Sequence, residues 1–120
     1  MAAPNLTSIS TITAKSSVVA LTTGGVTVLQ NAASSNKVFK VSSLIVSNID
    51  GSSAADLTLQ ISKAGGSATS IFSTVSVPAD SVLVALDKNT TIYLEENDTL
   101  TGTASANGDL VAFISYEEIS

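Results

Sequence analysis

Apolar and polar positions alternate along this chain in short runs, and no stretch sustains the spacing of an apolar helix face. Ten runs read as extended: residues near 6–14, 17–22, 26–31, 37–48, 56–62, 69–77, 82–86, 91–95, 99–105 and 109–116. Clusters of Gly, Asn, Asp and Ser separate them. The first run reads as an arm, which leaves about nine strands. Residues 16–21 allow at most a short helical turn. This spacing predicts an all-β fold, a single antiparallel β-sandwich or jelly-roll-like domain. Residues 31–120 form its core, and residues 1–30 are an extended N-terminal arm or the first strands.

The turn residues sharpen the pattern. Gly24-Gly25 and Gly65-Gly66 supply positive φ, Pro78-Ala79-Asp80-Ser81 breaks two apolar runs, and Asn97-Asp98 fits a tight turn because Asn tolerates the left-handed region. Asn107-Gly108 predicts a two-residue type I′ hairpin. Its register would pair Ala104 with Val111 and Gly102 with Phe113. Leu100, Ala104, Val111 and Phe113 would share one face, with Gly102 leaving room for the Phe113 ring. The opposite face of the last strand would then carry Leu110, Ala112, Ile114 and Tyr116.

A strand that is apolar on both sides is not wet on one side. The run at 37–48 has the same character: Phe39, Val41 and Ile45 alternate with Val38, Leu44 and Val46. By contrast, Leu57, Leu59 and Ile61 alternate cleanly with Thr58, Gln60 and Ser62, as expected of a strand with one solvated face. Two-sided strands are either overlaid by the chain's own segments or meet neighbouring subunits. The N-terminal stretch, with Leu6, Ile9 and Ile12, is either an arm that adds a strand to another chain or an edge strand of its own domain. The candidate interface is therefore Leu6, Ile9, Ile12, Val38, Leu44, Val46, Leu110, Ala112, Ile114 and Tyr116.

Composition narrows the chemistry. Core candidates are 11 Leu, 9 Ile, 12 Val and 3 Phe, against 20 Ser and 14 Thr, a mixture that suits pleated, half-buried surfaces. Cys, His, Trp and Arg are absent from the 120 residues. That removes thiolate chemistry, the commonest general base and metal ligand, and the bidentate reader of phosphates and base edges. With five Lys and a net charge of −5, a nucleic-acid partner is not expected. Neither a signal sequence at Met1-Ala2-Ala3-Pro4 nor an apolar run of bilayer length is legible, so no membrane partner is expected.

Candidate chemical groups are few. Glu95-Glu96 and Glu117-Glu118 are adjacent carboxylates, but neighbours on a strand point to opposite faces and do not converge. They read as solvated charges near strand ends. Glu95, Glu96, Asn97 and Asp98 crowd oxygen atoms into one turn and raise Ca²⁺ as a ligand, without the spacing of an established loop motif. Lys15, Lys37, Lys40, Lys63 and Lys88 all have hydroxyl residues nearby, which this Ser- and Thr-rich composition makes unavoidable. Asn-x-Thr sequons at Asn5, Asn89 and Asn97 exceed the chance number, about two, only slightly and receive no function. The expectation is a protein with no cofactor, no metal and no catalytic residues.

Three segments resemble small structural proteins of tailed-phage virions, most closely those of marine T4-like phages. Residues 31–48 (NAASSNKVFKVSSLIVSN) look like the segment that opens their sandwich. Residues 92–100 (IYLEENDTL) resemble their penultimate turn, with Asn97 where Gly is frequent, and residues 105–119 (SANGDLVAFISYEEI) their last strand and acidic ending. With the Pro78 turn the resemblance covers residues 31–119. It implies a non-enzymatic virion protein, assembled in the host cytoplasm. The leading expectation is a capsid decoration or cement protein, homo-oligomeric and favouring a trimer, that binds the major capsid protein or other virion proteins. The alternative is a tail, baseplate or fibre accessory acting as adaptor or host-surface binder.

Overall fold

The structure is a computed structural model and describes residues 7–120. Its nine strands are β1 (Ile12–Ala20), β2 (Val26–Gln30), β3 (Val38–Asn48), β4 (Ala55–Ser62), β5 (Ala68–Val77), β6 (Val82–Leu86), β7 (Ile92–Leu94), β8 (Thr99–Ala104) and β9 (Leu110–Ile119). No helix occurs among the described residues. Sheet A has the order β1-β9-β3-β6, with β7 also paired to β3; sheet B has the order β2-β8-β4-β5. Every pairing is antiparallel. The chain passes from one sheet to the other at six of its eight connections, and the strand orders are those of a jelly roll. The fold class read from the sequence is the one observed.

Between the sheets lies a core of small aliphatics, as the shortage of aromatics requires. Leu44, Val46, Leu110, Ala112 and Ile114 of sheet A face Leu57, Leu59, Leu100 and Ala104 of sheet B, all buried. Gly102 makes this packing fit. A Cβ there would sit 2.9 Å from Leu21 Cδ2 and 3.2 Å from Val28 Cγ2. The space it leaves is filled by those two side chains and not, as the expected hairpin required, by the Phe113 ring.

That hairpin does not form. β8 pairs with β2 and β4, whereas β9 pairs with β1 and β3 in the other sheet. Ser105 stays with sheet B, where the Asp56 N–H donates to its Oγ at 2.8 Å and its own N–H donates to the Asp56 carbonyl at 3.0 Å. Gly108 has φ 82°, but Asn107 is not in the left-handed region, so the two-residue turn lacks the paired positive φ of type I′. The Asn107 carboxamide oxygen instead accepts the Thr23 N–H at 2.9 Å. The turn carries the chain across the sandwich. Leu100, Gly102 and Ala104 therefore meet Leu110, Ala112 and Ile114 through the core rather than side by side.

Two further readings change. Residues 12–20 make one strand, where the sequence pattern predicts an arm ending near 14 and a strand beginning near 17. No helical turn forms at residues 16–21. In β3 the register shifts between Val41 and Ser43. This bulge at Ser42 reverses the parity of the strand. Phe39, Val41, Leu44 and Val46 all enter the core, and Ile45 alone of the expected set turns outward. Other elements match: β4 alternates buried and half-buried positions, and Gly25, Gly65 and Asn97 have positive φ.

Two buried asparagines hold the connections. Asn31 donates to the carbonyls of Lys37 (2.8 Å) and Leu94 (3.0 Å) and accepts from the Ser35 hydroxyl. Asn48 donates to Ser53 (3.0 Å) and Val77 (2.9 Å) and accepts the Asp50 N–H. Each lies at or below 2% exposure, so the bonds replace water that cannot reach them.

Candidate assembly surfaces

The candidate interface of the sequence analysis divides when placed on this fold. Leu44, Val46, Leu110, Ala112 and Ile114 are brought together, but as the inward layer of sheet A, where Leu44 pairs with Ile114 and Val46 with Ala112. Their exposure is 1% or less, so their side chains are core and present no surface. Tyr116 is half-buried and packs on Phe39, with ring centroids 5.4 Å apart. Val38 is buried beside Ile119, outside the main core, and Ile12 pairs with Ile119 while remaining 54% exposed. Ile9 is half-buried, and Leu6 lies outside the described residues. The inversion in β9 follows from the crossing at residues 105–109: even-numbered residues from 110 to 114 point inward, and Val111 and Phe113 point out.

The surface that sequence reasoning missed is this outward face of sheet A. One row runs across four of its five strands, with Val18 opposite Phe113, Phe113 opposite Ile45, and Ile45 opposite Val84. Phe113 is 48% exposed, and Val18 and Val84 are each 56% exposed. The next row reads Ala20, Val111, Ser47 and Val82. The signal available in the sequence was the two-sided apolar pattern itself; only the choice of side was wrong.

β1 closes sheet A on one side, and among the described residues no strand pairs with its outer edge. It pairs with β9 over nine consecutive residues with no register shift. Its single charge, Lys15, donates to Glu118 at 3.0 Å. Glu118 also accepts from Lys37 at 2.7 Å, so one carboxylate ties β1, β9 and the entry to β3. Hydrogen bonds from Lys37 and Lys15 hold the Glu118 carboxyl below its ordinary value, and the same contact raises Lys15. β5, one of the two edges of sheet B, has no charge in ten residues, but its register with β4 shifts twice and Thr74 has φ 49°. Bulges of this kind bend an edge away from flat pairing.

The acidic turn serves the fold. The buried Asp98 carboxylate accepts the Ala64 N–H at 2.9 Å, the Glu95 N–H at 2.8 Å and the Lys63 ammonium. Burial pushes its pKa up, but Lys63 and the two N–H groups more than offset this, and it lies below the ordinary value. Lys63 also stands 3.8 Å from Glu95, while the Glu96 carboxylate turns to the Asn36 N–H at 2.6 Å. An ammonium therefore occupies the place a cation would take. No group of three or more acidic residues converges among the described residues.

A groove of about 480 Å³ runs along the Ser42 bulge between Lys15, Ser42 and Glu117. Both of its charged groups are engaged, Lys15 with Glu118 and Glu117 with Lys40 at 3.8 Å. Glu117 and Glu118 point to different lysines, in line with their expected divergence.

No family model matches the sequence, and no curated protein is significantly similar to it. Among solved structures, the chain is similar to one of Bacillus endospore appendages, described as a family of disulfide-linked pili. The TM-score is 0.52 with 14% identity over 90% of this chain and 87% of that one. The likeness is one of fold, a β-sandwich. The 120 residues contain no Cys, so the disulfide linkage of those pili has no counterpart in them.

Proposed function

We propose that this chain is a non-catalytic structural subunit of a larger protein assembly, joined to its neighbours by strand addition at the open edge of sheet A. The observation that carries this reading is β1: nine residues in unbroken register, at the edge of the sheet, with its one charge already neutralised. Such an edge offers a row of backbone donors and acceptors to another strand. The likeness in fold to subunits that form pili supports polymerisation as the mode of action. Lacking Cys, these residues cannot be joined by disulfides. The paired state of the charged groups around the Ser42 groove and in the acidic turn supports a role without catalysis.

The resemblance of residues 31–119 to phage structural proteins makes the virion the proposed site of assembly. Within it, decoration of the shell through the major capsid protein stands ahead of a tail or baseplate position. Locating the chain on purified virions by electron microscopy tests this: density on the shell is expected, and density confined to the tail overturns the decoration role. Successive N–H groups of a strand point to opposite sides, so one of Thr13→Pro and Ala14→Pro removes an N–H from the open edge and spares the ladder to β9. The variant that keeps its melting transition is expected to lose assembly. Full assembly by that variant contradicts strand addition at β1.

A further inference from the structure

The outward face of sheet A is free of charge over three rows. Ser16, Ser115 and Ser43 form the first; Val18, Phe113, Ile45 and Val84 the second; Ala20, Val111, Ser47 and Val82 the third. The chain carries 15 charged residues at a net charge of −5, and none falls in these rows. Charges resume one row further, where Glu117 lies between Ala14 and Lys40 and pairs with that lysine. Depletion of charge around a central aromatic is the composition of an interface core.

We infer that this face binds a second copy of the same chain, face to face. Two acidic molecules repel least where the meeting surfaces are uncharged, and this is such a surface. The middle row is also complementary to itself. A two-fold axis parallel to the strands, lying between the faces, reverses its order. Val18 then meets Val84 of the second copy, and Phe113 meets Ile45 of the second copy. The alternative axis, across the strands, would set Phe113 on Phe113 and hold the shorter valines apart. A symmetric contact of this kind closes on itself, and strand addition at β1 leaves the face free to make it.

The size of the face sets the strength of the pair. Four strands and three rows cover roughly 14 Å by 13 Å between Cα positions, or about 400 Å² with side-chain breadth included. A stable complex buries about 800 Å² on each partner. The pair is therefore weak alone and gains its effect through repetition in an assembly.

Because the sequence has no Cys, an introduced thiol is unique. Val18→Cys and Val84→Cys are made separately and mixed with a short bis-maleimide, to which each thiol adds. A covalent dimer is expected in the mixture, at least fivefold above either variant alone, and Phe113→Asp in both chains abolishes it while the protein still melts cooperatively. Equal cross-linking in the single variants, or none in the mixture, overturns the inference. So does cross-linking that requires deletion of residues 1–6, which would make that segment the occupant. The inference rests on the proposed assembling role, yet the two fail separately. Assembly without the cross-link removes the face contact, whereas a cross-linked dimer that never grows removes the polymeric subunit.

Discussion

On the outward face of sheet A, one row across four strands reads Val18, Phe113, Ile45 and Val84. On the outward face of sheet B, a row across four strands reads Thr27, Thr101, Gln60 and Ser70. Both sheets bury the same kind of side chain against the shared core, mostly Leu and Val with some Ala. The difference lies wholly in the face turned away from it. Hydroxyl and amide groups keep their water, and nothing is gained by removing it. The valines and the phenylalanine of sheet A gain about 25 cal/mol for each Å² taken out of water. One sandwich thus carries an inert face and an adhesive one, and alternation along each strand is enough to build both.

The sharpest way to break this comparison uses two neighbouring residues of β9. Ile114→Ala empties a fully buried position and is expected to cost about 2–5 kcal/mol by denaturant melts. Phe113→Ser is expected to cost about 1 kcal/mol or less, while reducing self-association. Equal losses at the two positions would mean that both faces of β9 are core.

Asp98 comes next in size. It sits where the chain leaves sheet A after β7 and enters sheet B at β8, and it anchors the Lys63–Ala64 turn to that crossing. Asp98→Ala leaves two N–H groups without an acceptor and is expected to cost about 2–4 kcal/mol in the same melts. Asp98→Asn should be milder.

Acid acts through the same carboxylate and Glu118. Both are depressed from their ordinary values, 3.8 and 4.5, so their contribution is complete above those values and is lost as pH falls through the lower folded ones. Melting temperature should hold steady near neutrality and decline progressively below about pH 4.5. Asp98→Asn should remove part of that slope. A slope unchanged in the variant would take Asp98 out of the account.

The smallest effect belongs to the polar face. Thr101→Val should change stability by no more than about 0.5 kcal/mol. Combining it with Thr27→Val and Gln60→Val should confer on sheet B the concentration-dependent association of sheet A, read by light scattering. Failure to do so would mean that apolar area alone does not make the adhesive face.

Much of this was legible in the residues. Strand content, the solvated side of β4 and the Asn97 turn all depend on neighbours close in sequence, and alternation or turn chemistry reports such neighbours directly. The crossing at Asn107-Gly108 does not. A Gly with positive φ serves a hairpin and a passage between sheets alike, and the decision lies with distant strands, β1 and β3, that claim both sides of β9. The bulge at Ser42 is equally silent, since a single unpaired residue reverses the inward set without altering composition. Once parity was wrong, the core layer of Leu44, Val46, Leu110, Ala112 and Ile114 read as surface. The true surface at Phe113 read as core. The existence of a second apolar face was correct, because it rests on counting and not on register. Asn31 and Asn48, both at strand boundaries, gave no sign of burial because polar residues are the ordinary content of loops.

The most direct test of the adhesive face is sedimentation velocity of the wild-type chain and Phe113→Asp across a wide concentration range. The account predicts a wild-type sedimentation coefficient that rises with concentration and a variant that stays folded and fixed at the monomer value. A wild-type chain that remains monomeric at every concentration, or a variant that associates as the wild type does, would contradict it.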